Sequence, residues 1–166
     1  MKTPASSQSH FFAAMALVAA FSATSCAQQG GGRGMPAEAQ EQIHALFDNH
    51  AKIHRDLKLT TTGYTATTES DDPKVAAALQ KHVKQMQDRL KSGLSVRRWD
   101  PAFAEYCDHY DELDHQFTAT AKGVRMTVTG RNAVAIKIAQ NHAKVVSAFA
   151  AHGWSEHDKK HDTVTR

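Results

Sequence analysis

The residues on which chemistry could turn are His82 and His142. They sit in Gln80-Lys81-His82 and Gln140-Asn141-His142, each nineteen positions after a glycine (Gly63, Gly123) and eleven before another (Gly93, Gly153). Imidazole is the commonest protein metal ligand and the usual proton carrier near neutral pH, and the chain has 11 histidines. Helical spacing extends the set. His82 falls on the apolar stripe Val75, Leu79, Val83, Met86 and Leu90, one turn before Met86. His142 falls on Val134, Ile138, Val145 and Phe149. Over residues 37–57, the stripe Ile43, Leu46, Phe47, Ile53 and Leu57 predicts a helix that includes His50 and His54 and leaves His44 off it. Their i,i+4 spacing would let both rings reach one ion. In the corresponding second helix, Tyr110 stands where His50 stands, Asp114 where His54 stands and Cys107 where Phe47 stands. A buried carboxylate needs a partner or a metal, and His142 is the nearest candidate for Asp114 by symmetry.

His50, His54, His82, Met86, His142 and Asp114 thus form a candidate metal set. Imidazoles and a thioether, without a carboxylate in the first half, favour copper over magnesium or calcium. Zinc is accommodated by three histidines and a water. Non-covalent haem is the other candidate cofactor, with His82 and His142 as axial ligands or Met86 replacing one of them. The absence of Cys-x-x-Cys-His leaves covalent haem attachment unsupported. Two rival readings use the same residues. In one, the histidines only fix packing in a non-catalytic envelope interaction domain. In the other, Cys107, His142 and Asp114 act as nucleophile, base and orienting carboxylate of an enzyme, although no nucleophile elbow or phosphate loop accompanies them.

The elements that would hold these residues come in two copies. Sliding the chain by sixty residues superposes Asp48 on Asp108, Thr60 on Thr120, Thr67 on Thr127, Lys84 on Lys144 and Ser95 on Ser155 without a gap. Fixed-period similarity is the mark of one structural unit used twice. The threonine-rich stretch 57–70 and its copy 117–129 read as hairpins turning at Thr62-Gly63 and Lys122-Gly123. Asp72-Pro73, Asp100-Pro101 and Asn132 read as helix starts, and Gly93 and Gly153 as helix stops. The expected fold class is α+β: an α-β-β-α repeat at 37–97 and another at 98–157, making one compact domain with a four-stranded antiparallel sheet packed against helices. His109 and His115 are expected to face solvent. Residues 158–166 are expected to be a disordered tail, with His157 and His161 solvated among Glu156, Asp158 and Asp162.

Residues 1–27 have the layout of an export signal: Lys2, then the apolar run from Phe11 to Phe21, then small residues. Eleven apolar residues are too few to span a bilayer, which takes about 20. Ala23-Thr24-Ser25-Cys26 resembles a lipobox that would leave Cys26 as a lipidated N-terminus; the alternative is cleavage after Ala27. Residues 28–36, rich in glycine, suit a flexible tether. The expected location is the periplasm or the outer membrane, with membrane contact only through that lipid. Cys107 then lacks a disulfide partner. The net charge is +3 and the basic residues are scattered, with no aromatic platform interleaved among Arg89, Lys91, Arg97 and Arg98, which argues against nucleic acid as a partner.

Ser70-Asp71-Asp72-Pro73, His82-Val83 with Met86, and Trp99-Asp100-Pro101 together resemble a family of small exported bacterial proteins, over about Ile43 to Gly153. The resemblance implies a bacterial envelope protein and carries no activity, ligand or site residue with it.

Overall fold

The computed structural model describes residues 34–165. The export signal, Cys26 and most of the tether lie outside the described residues. The order of elements is α1 (Ala37–Asp48), β1 (His54–Thr60), β2 (Gly63–Glu69), α2 (Pro73–Lys91), α3 (Pro101–Asp108), β3 (Leu113–Thr120), β4 (Gly123–Gly130) and α4 (Ala133–His152). A short 3-10 turn joins α1 to β1 at His50–Lys52, and another joins α3 to β3 at Tyr110–Glu112. The fold is α+β, as the sequence implies, and the four strands are antiparallel in the order β1-β2-β4-β3.

Local chemistry explains the element ends. Asp72 accepts from the Lys74 amide at 2.9 Å with Pro73 at the first helical position, and Asp100 does the same for Ala102 at 3.2 Å ahead of Pro101. Asn132 accepts from Val134 and Ala135 at 3.0 and 2.9 Å. Each cap satisfies amides that the first helical turn leaves orphaned. α2 stops at Gly93, whose φ of +72° lets Leu94 N–H reach back to the Arg89 carbonyl at 3.0 Å.

The two halves meet at β2 and β4. Ala66 pairs with Met126, its own equivalent sixty residues on, and the register runs outward symmetrically from there. Several contacts across the seam are therefore made twice. Gln80 on α2 donates to the carbonyls of Thr120 and Gly123, at 2.8 and 3.3 Å, and Gln140 on α4 donates to those of Thr60 and Gly63, at 2.8 and 3.2 Å. The amide of Gly130 donates to Thr62, and that of Ser70 to Lys122, both at 2.9 Å. Each half thus clamps the hairpin turn of the other, which supports the reading of one unit used twice.

α1 and its counterpart α3 end well short of what the apolar spacing predicts. Ile53 and Leu57, like Leu113 and Phe117, are four residues apart, a spacing that suits both one turn of helix and two steps of strand. Asn49 stops α1 by turning its side chain onto the Ala45 carbonyl at 2.9 Å, and the chain then extends. In β1 the inward residues are Arg55 and Leu57, and in β3 they are Leu113, His115 and Phe117. The helices cover this face of the sheet; the other carries alternating charged and threonine side chains.

The core is divided. The largest cluster lies under α4, where the fully buried Ala135, Ala139 and Ala143 bring the helix close to the sheet beside Tyr64, Val128 and Ile138. The equivalent row in α2 is Val75, Leu79 and Val83. α4 rests on β1, β2 and β4, whereas α2 meets chiefly β4 and α1.

Gly63 and Gly123 are indispensable to the seam. A Cβ on Gly63 would lie 2.0 Å from the Val128 carbonyl oxygen, and one on Gly123 2.1 Å from that of Thr68, with φ of +155° and +157°. Gly63→Ala and Gly123→Ala are each expected to lower unfolding free energy by about 3 kcal/mol or more in urea titrations. Gly34→Ala, with nothing within 4 Å of its Cβ, is expected to leave it unchanged.

Candidate functional site

α2 and α4 lie on the same face of the sheet yet barely touch, and between them is a cavity of about 830 Å³. Its walls are drawn from both halves: Leu46 and Phe47 of α1, Met86 of α2, Phe103 of α3, Phe117 of β3 and Met126 of β4 are representative. The size and the apolar lining are those of a small-molecule site. Its polar lining includes the imidazoles of His44, His82, His115, His142 and His157 and the guanidinium groups of Arg55, Arg97 and Arg98.

His82 and His142 occupy repeat-equivalent positions on α2 and α4, and both line the cavity. The Nδ1 atom of each is fully buried without a partner, and among the described residues no hydrogen bond reaches either ring. Burial drives the His82 pKa down to about 4. Burial, reinforced by the nearby Arg55 charge, drives that of His142 down to about 3. Both rings are therefore neutral at ordinary pH, the form that ligates metal or exchanges hydrogen bonds with a ligand. His142 stacks on the Tyr106 ring at 3.8 Å and receives the edge of Phe103 at 5.1 Å, which fixes its plane.

Four of the five buried side-chain polar atoms without a partner among the described residues belong to cavity-lining residues: Arg55 Nη2, His82 Nδ1, Arg97 Nε and His142 Nδ1. Native interiors leave few such groups, and each costs about 1–3 kcal/mol. They are concentrated around one space.

The other expected site residues lie elsewhere. His50 is in the 3-10 turn after α1 and His54 opens β1, exposed, so they share no helical face. Asp114 points outward from β3, with its side chain 56% exposed, and pairs with Arg131 at 2.6 Å instead of His142. None of these three lines the cavity, whereas Met86 does. No cluster of three or more histidine, cysteine or acidic side chains suited to a metal ion occurs among the described residues. The proposed Cys107, His142 and Asp114 triad is not assembled either. Burial raises the Cys107 pKa, which keeps it a thiol.

Sequence reasoning missed His115 and Arg55. His115 faces inward, its Nε2 2.7 Å from the Tyr106 hydroxyl, and burial lowers its pKa to about 4. The signal was period-two alternation: Ile53, Arg55 and Leu57 share one strand face, as do Leu113, His115 and Phe117.

The tail is ordered, contrary to expectation. His161 bridges Asp100 at 2.7 Å and Glu156 at 3.0 Å through its two ring nitrogens. Glu105 accepts from the amides of Val164 and Thr165 at 3.0 and 3.1 Å. Arg97 reaches the His157 carbonyl at 2.9 Å, joining the tail to the cavity rim. Buried carboxylates at Asp100 and Glu105 anchor these residues, and an acidic residue read only as a helix cap does not reveal a second, distant bond.

No family model, curated protein or solved structure matches this chain, so a functional reading rests on the geometry.

Two opposed pH dependences follow. For His82 and His142 the folded pKa lies below the unfolded value of 6.5, so the unfolded chain binds more protons on acidification. The stability held by their neutral forms is complete above pH 6.5 and lost as pH falls through about 4 and 3. His82→Leu and His142→Phe should each flatten this acid limb in denaturant titrations. His161 behaves in the opposite sense. Desolvation opposes its charge, but the hydrogen bonds to Asp100 and Glu156 prevail and raise its pKa. Its contribution is complete below pH 6.5 and lost as pH rises through the folded value, and His161→Gln should abolish that alkaline loss.

Proposed function

We propose that this protein is a non-catalytic binding protein that takes a bulky, mainly apolar ligand into the space between α2, α4 and the sheet. His82 and His142 contact the ligand. The observation that carries this reading is the pair of repeat-equivalent neutral imidazoles, without a hydrogen bond, on the wall of an 830 Å³ cavity.

Among copper, zinc and haem, haem suits this space best. A bare ion needs several converging donors, and the described residues supply no such cluster. A haem brings its own equatorial nitrogens, asks the protein for one or two axial ligands, and presents a broad apolar face to side chains such as Phe103, Phe117 and Met86. Metal-bound imidazoles usually donate their second N–H to an acceptor. That acceptor is missing at both Nδ1 atoms, so weak, exchangeable binding suited to carriage is the expected mode. An export signal would place such a carrier in the cell envelope.

Purely structural histidines are a poorer account, because a structural core histidine normally has partners. His115 has one; His82 and His142 have none.

Haemin added to the mature, untagged domain is expected to bind one to one with a sharpened Soret band. His82→Ala and His142→Ala should each alter the band and weaken binding by about tenfold or more, a difference of about 1.4 kcal/mol. Elemental analysis of the haem-free protein should find no stoichiometric copper or zinc. A spectrum identical to free haemin would sink the haem reading.

A further inference from the structure

Arg55 projects from the inner face of β1 into the interior, where its Nε donates to Ser147 Oγ at 3.1 Å and its Nη1 to Thr68 Oγ1 at 2.6 Å. Its Nη2 is buried and donates to nothing among the described residues, and the side chain lines the cavity. Arginine cannot escape its charge by deprotonating within the physiological range, yet no carboxylate among the described residues pairs with it. Arg97, which also lines the cavity, differs in this respect: it pairs with Asp100 and donates to the carbonyls of His157 and Lys159. An uncompensated cation in an apolar interior is among the costliest features a fold can carry. Two neutral hydroxyls orient the fork without cancelling its charge.

We infer that Arg55 is the anion-recognition residue of the cavity, and that the ligand is an amphiphilic carboxylic acid: an apolar body carrying a carboxylate that pairs with the vacant edge of the guanidinium. This rests on the reading of the cavity as a ligand site and adds the chemical class of the ligand. Charge balance selects a carboxylate over a phosphate. Of the three arginines that line the space, Arg97 and Arg98 are already paired with Asp100 and Asp108, and Arg55 is the one that no carboxylate among the described residues pairs with, so a second negative charge would find no free counterpart. The planar fork also matches the carboxylate geometry. The acid edge of a haem and the head of a long-chain fatty acid present the same chemistry to Arg55.

The test compares two acid–ester pairs on the mature domain: haemin against its dimethyl ester, and a fluorescent long-chain polyene carboxylic acid against its methyl ester. In at least one pair the acid should bind about ten- to a hundredfold tighter than the ester, the range for a hydrogen bond to a charged group. The pair that shows the preference identifies the source of the carboxylate. Arg55→Gln should remove the preference by weakening the acid alone, leaving ester affinity unchanged, and Arg55→Lys should restore part of it and show that the site tolerates replacement. Equal affinity for acid and ester in the wild type overturns the inference, and so does a preference that survives in Arg55→Gln. If haemin binds with histidine-dependent bands but without acid preference, this inference falls and the haem reading stands. If only the polyene acid is preferred and haemin is ignored, the haem reading falls and this inference stands. If no probe binds, both fall.

Discussion

The antiparallel pairing of β2 with β4 is the constraint from which the rest of the structure follows. Because Ala66 faces Met126, sixty residues away along the chain, residues equidistant from that point on the two strands are placed opposite one another. The sheet then has two-fold symmetry imposed by register, and the glutamine and turn-amide contacts across the seam come as pairs. Each hairpin alone would be marginal in water. What makes it persist is that its turn is held by a glutamine of the other half, through Gln80 and Gln140. The close approach of the strands leaves no room for a side chain at Gly63 or Gly123. The same glutamines tie one point on each of α2 and α4 to the opposite half of the sheet.

Symmetry at the seam is broken above it, and the breakage makes the cavity. Three alanines let α4 settle across three strands, while Val75, Leu79 and Val83 occupy the matching row of α2. Wider side chains hold a helix further from its sheet, and α2 leaves the inner faces of His115, Phe117 and Met126 uncovered as cavity wall. Apolar surface that lines a void forgoes dispersion contacts, and the unpartnered nitrogens there forgo hydrogen bonds. A fold optimised only for stability would fill the space or pair those groups. Local violations of packing and pairing rules concentrate at functional sites, and here they coincide around one cavity.

Much of this was legible in the sequence, for identifiable reasons. The sixty-residue offset carries the class and the four antiparallel strands, because a duplicated hairpin supplies two pairs, whereas the order β1-β2-β4-β3 comes from the structure. Asp72, Asp100 and Asn132 announce their helices because capping is local chemistry. The inner placement of His82, Met86 and His142 follows from uninterrupted helical stripes. His50, His54 and Asp114 were misplaced because a separation of four residues fits helix and strand alike, and nothing in residues 50–57 alone resolves the tie. The error hid Arg55 and His115, which are out of register in a helix and inward in a strand. The anchoring of residues 158–165 was beyond local reading, since the Asp100–His161 bond spans sixty-one positions.

The electrostatics of the interior tie the imidazoles to the guanidinium. Arg55 is a fixed positive charge whose field helps hold His142 neutral, so the cavity offers a cation that no carboxylate among the described residues pairs with, together with the neutral rings of His82, His115 and His142. An anion bound at Arg55 would cancel that field and raise the proton affinity of His142. A metal centre bound at His142 would instead be repelled by the guanidinium unless it brought negative charge of its own. A bare copper or zinc ion meets that repulsion in full, whereas a metal carried within an acidic, apolar ligand arrives with its compensation attached. A ligand of the proposed class would satisfy both the charge of Arg55 and the neutrality of the histidines, although the two are placed by different elements, β1 against α2 and α4.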